Sequence, residues 1–126
     1  MLNAEFEGAM VENPVYEKSF EFAVRVVNLY KYLTAEKKEY VMSKQFLRCG
    51  TSIGANVAEA QKGQSYADFL SKMCIASKEA NETAYWLRLL NRTEYISQEQ
   101  YESMRIDADE LISILTAICK TAGGKK

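Results

Sequence analysis

The sequence predicts an all-α domain, an antiparallel up-down-up-down four-helix bundle. Three observations predict it. Four segments place apolar residues at alternating steps of three and four, the spacing that gathers them on one face of a helix. Short polar breaks separate those segments, and such short connections force neighbouring helices to run antiparallel. Proline occurs once in 126 residues, at Pro14, so the helices are not interrupted. A chain of this length can bury a core without staples. It divides into an N-terminal arm at 1–12, the bundle at 13–122 and a basic tail at 123–126.

The first helix starts at Asn13-Pro14, a capping side chain followed by proline at the first helical position. One apolar line runs through Tyr16, Phe20, Ala23, Val27 and Tyr30, and a second through Phe22, Val26, Leu29 and Leu33. The two lines lie about 100° apart on the helix and form an arc wider than one bundle seam needs. Such a helix packs between two neighbours or faces another subunit. Glu17, Glu21, Arg25 and Asn28 share its polar side.

Thr34 to Glu39 reads as a turn. A second helix is predicted from Glu39 to Gln61, with Phe46, Ile53, Val57 and Ala60 inward. Gly50, Gly54 and Ala58 stack on one of its faces. Each glycine costs about 1 kcal/mol against alanine inside a helix, so two in one turn imply a kink or a close approach by another helix. Gly50 to Gly54 is not a phosphate-cradling loop, because no Walker-type lysine follows it and no strand precedes it.

Lys62-Gly63-Gln64 is the next break, and Ser65 with Asp68 forms a capping box at the start of a third helix, Ser65 to Asn91. Phe69, Met73, Ala76, Ala80, Thr83, Leu87 and Leu90 continue the four-three alternation as a bundle seam. Arg92 to Ile96 connects to a fourth helix, which Ser97 and Gln100 cap. It runs through Met104, Ala108, Leu111, Leu115 and Ile118 to about Ala122, ending at Gly123-Gly124 before Lys125-Lys126.

Histidine is absent from the chain. That removes Ser-His-Asp and Cys-His catalysis, the usual zinc sites and the Glu-x-x-His di-iron pattern of many bundles. Cys49, Cys74 and Cys119 are far apart in sequence, and the simplest reading is three small buried hydrophobes in a reducing compartment. The N-terminus lacks the basic start and apolar run of a signal peptide, and no stretch is long and apolar enough to span a membrane. The expectation is a cytoplasmic protein with no cofactor, no metal and no enzymatic activity.

On the second helix Arg48, Ser52, Asn56 and Glu59 share an arc, and on the third Glu79, Glu82 and Trp86 form a comparable line. Glu79 and Glu82 are read as solvated charges or ion pairs with Arg48 or Arg88, and Trp86 as a packing residue. Charge is uneven. Residues 37–92 hold nine basic and five acidic side chains, whereas 93–124 hold two and six. Lys37, Lys38, Lys44, Lys62 and Lys72 are therefore the candidates for contacting RNA or DNA phosphates. The formal net charge of −1 and pI near 5.6 are not those of a dedicated nucleic-acid binder.

The run Gln45-Phe46-Leu47-Arg48-Cys49-Gly50-Thr51-Ser52-Ile53-Gly54-Ala55-Asn56-Val57-Ala58-Glu59-Ala60 resembles the signature of a bacterial four-helix-bundle family. Its members were first noticed as proteins encoded in intervening sequences of large-subunit ribosomal RNA genes. Asp68-Phe69, Ala76 to Thr83 and Trp86-Leu87 are similar to the family's third helix, so the resemblance spans nearly the whole chain. It implies an antiparallel bundle that assembles into homopentameric rings. One related branch comprises accessory variability proteins of diversity-generating retroelements, in which a basic barrel binds nucleic acid and a reverse transcriptase. The chain departs from that branch in its slightly acidic balance, and it carries Ala60 where a glycine usually follows. Arg48, Asn56, Glu59, Glu79 and Glu82 match family motif positions, which implies a polar network fixing helix contacts. The resulting expectation is a non-enzymatic, homo-oligomeric interaction or scaffold protein. The alternative is an RNA- or DNA-binding accessory protein.

Overall fold

The computed structural model describes residues 14–123. The predicted arm at 1–12, the Asn13 cap, Gly124 and the Lys125-Lys126 tail lie outside them. Among the described residues the chain forms four helices and no strand: α1 (Val15–Ala35), α2 (Met42–Ala60), α3 (Tyr66–Arg92) and α4 (Gln98–Gly123). Each helix packs along the next, and α4 returns to α1 with a lighter contact. This is the up-down-up-down bundle. The α1–α2 and α3–α4 connections lie at one pole, and the α2–α3 connection lies at the other.

The core is made of the apolar stripes. Val15, Phe22, Val26 and Leu33 of α1 meet Phe46, Ile53 and Val57 of α2, all buried. The seven inward positions expected of α3, from Phe69 to Leu90, are all buried. Met104, Ala108, Leu111 and Leu115 complete the core from α4, while Ile118 is only partly covered. Each large side chain withdrawn from water in this way contributes about 1.5–3 kcal/mol.

The two apolar lines of α1 have different fates. The Phe22-Val26-Leu29-Leu33 line faces the core, joined by Val15 and Ser19. On the other line Tyr16 and Phe20 stay exposed, at 39% and 60%, and neighbouring Val24 is 42% exposed.

The second helix starts three residues later than the spacing predicts. Glu39 is not in it. Its carboxylate caps it, accepting hydrogen bonds from Val41 N at 3.0 Å, Met42 N at 2.9 Å and Ser43 N at 2.7 Å. These N–H groups have no partner inside the helix, so a buried carboxylate here satisfies them and faces the positive end of the helix dipole. Lys38 reaches this position through a left-handed backbone, with φ of 55°.

The glycine pair of α2 is explained by α1. A Cβ on Gly50 would lie 2.8 Å from both methyl carbons of Val26, and one on Gly54 would lie 3.1 Å from the Ser19 carbonyl oxygen. The close approach is therefore made within the chain. At α3, Ser65 Oγ accepts from Asp68 N at 3.1 Å, while Asp68 bonds Gln64 N rather than the cap's own N–H. At α4 the box is complete: Gln100 N donates to Ser97 Oγ and Ser97 N to Gln100 Oε1.

Candidate functional site

Arg48 stands midway along α2 on the side facing α3, and it gathers the most conspicuous polar cluster. Its Nη2 donates to Glu82 Oε2 at 2.6 Å, Nη1 to Glu79 Oε1 at 3.4 Å and Nε to Gln45 Oε1 at 3.5 Å. Glu79, Glu82 and Trp86 lie three and four apart, so one turn after another of α3 presents them to the same flank. Trp86 Nε1 donates to the Glu82 oxygen that Arg48 also holds, at 3.0 Å. The indole bond and then the guanidinium hold the Glu82 carboxyl below its ordinary range, and Glu82 in turn raises Arg48.

Beneath this cluster Cys49 is fully buried, and burial pushes its thiol up to about 11 although the Thr83 hydroxyl partly offsets the effect. A thiol in that state is protonated at neutral pH and is a poor nucleophile.

The five motif residues do not form one network. Arg48, Glu79 and Glu82 come together, joined by Gln45, which the spacing argument left out, and by Trp86, which it placed on the Glu79–Glu82 line but read as a packing residue rather than a hydrogen-bond donor. Asn56 instead donates to the Ser52 carbonyl of its own helix at 2.9 Å, and Glu59 pairs with Lys72 at 3.0 Å. Gln45 is three residues before Arg48, so helical spacing alone could have found it.

The five candidate lysines are likewise divided. Lys37, Lys38 and Lys44 lie at the α1–α2 pole. Lys62 and Lys72 lie towards the α2–α3 pole, and the Lys72 charge is matched by Glu59. From Lys44 to Glu59, the partner of Lys72, α2 rises roughly 22 Å. The two groups do not make one continuous basic patch.

The cysteine reading is corrected for two of the three. Cys74 of α3 and Cys119 of α4 are joined in a disulfide, with Cα atoms 5.7 Å apart, and only Cys49 is a free, buried thiol. The antiparallel pairing of α3 and α4 brings the two sulfurs together across 45 residues of sequence.

Between α1 and α4 lies an open groove of about 450 Å³ floored by Leu29 and Met104. Arg25 bridges its rim, donating to Asp107 Oδ2 and Ser103 Oγ, each at 2.6 Å. Lys18–Glu110 at 3.0 Å is a second bridge along this side. Among the described residues no group of three or more His, Cys, Asp or Glu side chains is placed to hold a metal ion. Nor is any helix long and apolar enough to cross a membrane.

Comparison with known proteins starts from this bundle. The model of the 23S rRNA-intervening sequence protein family matches residues 11–117, which includes α1, α2, α3 and most of α4. The chain belongs to that family. A solved structure from Bacteroides thetaiotaomicron, described as a protein of unknown function from the S23 ribosomal protein family, is 63% identical. The alignment covers 84% of this chain and 98% of that one, with a TM-score of 0.82. No curated protein matches. Within the Gln45–Ala60 motif, the glycines meet α1, Gln45 and Arg48 join the cluster with α3, and Glu59 pairs with Lys72.

Proposed function

We propose that this family member is a non-enzymatic, self-associating scaffold whose working surface is the outer side of α1. The observation that carries this reading is the exposed stripe of Tyr16, Phe20 and Val24. These residues stand on a helix whose opposite arc already fills the core, so the apolar surface they leave exposed is not used by the single chain. A contiguous apolar strip on a surface marks an interaction site. A second copy of the chain is the partner that the family resemblance implies, as a homopentamer.

The chemistry of the polar cluster supports a non-catalytic role. General acid–base work at neutral pH needs a carboxyl raised towards neutrality. Glu82 is displaced in the opposite direction, and Cys49 is too buried to attack a substrate.

Sedimentation velocity tests the reading. The chain should sediment as a closed oligomer at micromolar concentration, and Phe20→Glu with Val24→Lys should dissociate it with helical circular dichroism retained. A stable monomer at tens of micromolar would overturn it.

A second reading, nucleic-acid binding, is supported by the clustering of Lys37, Lys38 and Lys44 beside exposed Tyr40 at one pole. It predicts binding of structured RNA that weakens steeply with salt, and further when those three lysines are neutralised. No gel shift at low salt would dispose of it.

A further inference from the structure

We propose that the Cys74–Cys119 disulfide is a redox-responsive staple that decides whether the last turns of α4 stay docked on α3. The inference rests on where the bridge sits. Among the described side chains of α4, Leu115 is the last that is fully buried, and from Thr116 to Lys120 every side chain is exposed or half-covered. Among the described side chains past Leu115, a partly covered Ile118 and the covalent bond at Cys119 hold the helix to the bundle. Farther up the helix, α4 reaches α1 through the Lys18–Glu110 and Arg25–Asp107 pairs, both partly exposed. A helix end with so little buried surface frays readily once its tether is cut.

The bridge is also the part of the chain open to exchange. Cys74 and Cys119 are both half-covered, whereas Cys49 is fully buried with its thiol pushed up to about 11. Thiol–disulfide exchange therefore engages one couple. A small-molecule thiolate such as glutathione attacks one sulfur, giving a mixed disulfide and releasing the other cysteine as thiolate. A second glutathione attacks the mixed disulfide, leaving two protein thiols and one glutathione disulfide. The two electrons come from the two small thiols, and glutathione disulfide drives the reverse reaction.

The experiment equilibrates the full chain in glutathione buffers of graded ratio, traps thiols by alkylation and follows backbone hydrogen exchange by mass spectrometry. The expected result is one two-thiol transition, with amides of residues 116–123 exchanging at least roughly tenfold faster when reduced. Exchange in the cores of α2 and α3 should be unchanged. Cys74→Ser and Cys119→Ser should each show the fast exchange in every buffer, with helical circular dichroism confirming that they fold. Two alkylatable thiols at every ratio would overturn the proposal, as would equal α4 exchange in the oxidised and reduced chains.

Discussion

Glu39 shows how much one side chain does at a helix end. Burial pushes its carboxyl up, yet three backbone N–H bonds and the Ser43 hydroxyl outweigh that, and it lies below the ordinary value of 4.5. Because the folded-state value is lowered, its contribution is complete at neutral pH and is lost as pH falls below about 4.5 through the folded value. Glu39→Ala should cost about 1–2 kcal/mol in urea unfolding at pH 7, with the difference from the parent shrinking at pH 3. Glu39→Gln, which keeps one acceptor, should fall between them. The same residue was legible in sequence only as the edge of a turn, since nothing in its spacing says that its carboxylate folds back over the next three amides. Cys49 makes a second test. Native protein at pH 7.5 should leave it unalkylated for hours, whereas denatured protein should label at once.

At the scale of elements, the α1–α2 contact is the most exacting. Gly50 and Gly54 each forgo about 1 kcal/mol of helix propensity to let α1 approach. At Gly54 the obstacle to a Cβ is the Ser19 backbone, which cannot rotate away. Gly54→Ala should therefore destabilise the fold by about 1–3 kcal/mol net, read as a lower urea midpoint at unchanged m-value. At Gly50 the obstacle is the Val26 side chain. Gly50→Ala should also destabilise, but in a Val26→Ala background its cost should fall by about 1 kcal/mol or more, a non-additive cycle. The glycine spacing pointed to a kink or a close helix. The structure selects the close helix and identifies it as α1.

For the whole molecule, the magnitudes separate what holds the bundle from what decorates it. The ion pairs that link helices, Lys18–Glu110, Arg25–Asp107, Arg48–Glu79, Arg48–Glu82 and Lys72–Glu59, each have at least one substantially exposed side chain. Exposed pairs are worth under about 1 kcal/mol, whereas removing a buried phenylalanine costs about 3–5. Arg25→Ala should accordingly change stability by less than about 1 kcal/mol, and Phe22→Ala, one helical turn from it but fully inside, by several times more. Both follow from urea unfolding of the same preparation.

The number of helices, the Ser65 and Ser97 caps and the inward faces were determined by the sequence by itself. Each depends on residues within three or four positions of one another, and helical geometry turns that spacing directly into a face. The interrupted line on α1 was legible for the same reason: Phe20 lies off the Phe22–Leu33 stripe whatever else the chain does. The tertiary structure alone decided the rest. Arg48 selects Glu79 and Glu82 on another helix, Glu59 leaves that group for Lys72, the candidate lysines part to opposite poles, and Cys74 finds Cys119. Those outcomes depend on how far each helix slides and turns against its neighbour. Packing of the buried faces sets that displacement, and no periodicity along a single helix records it.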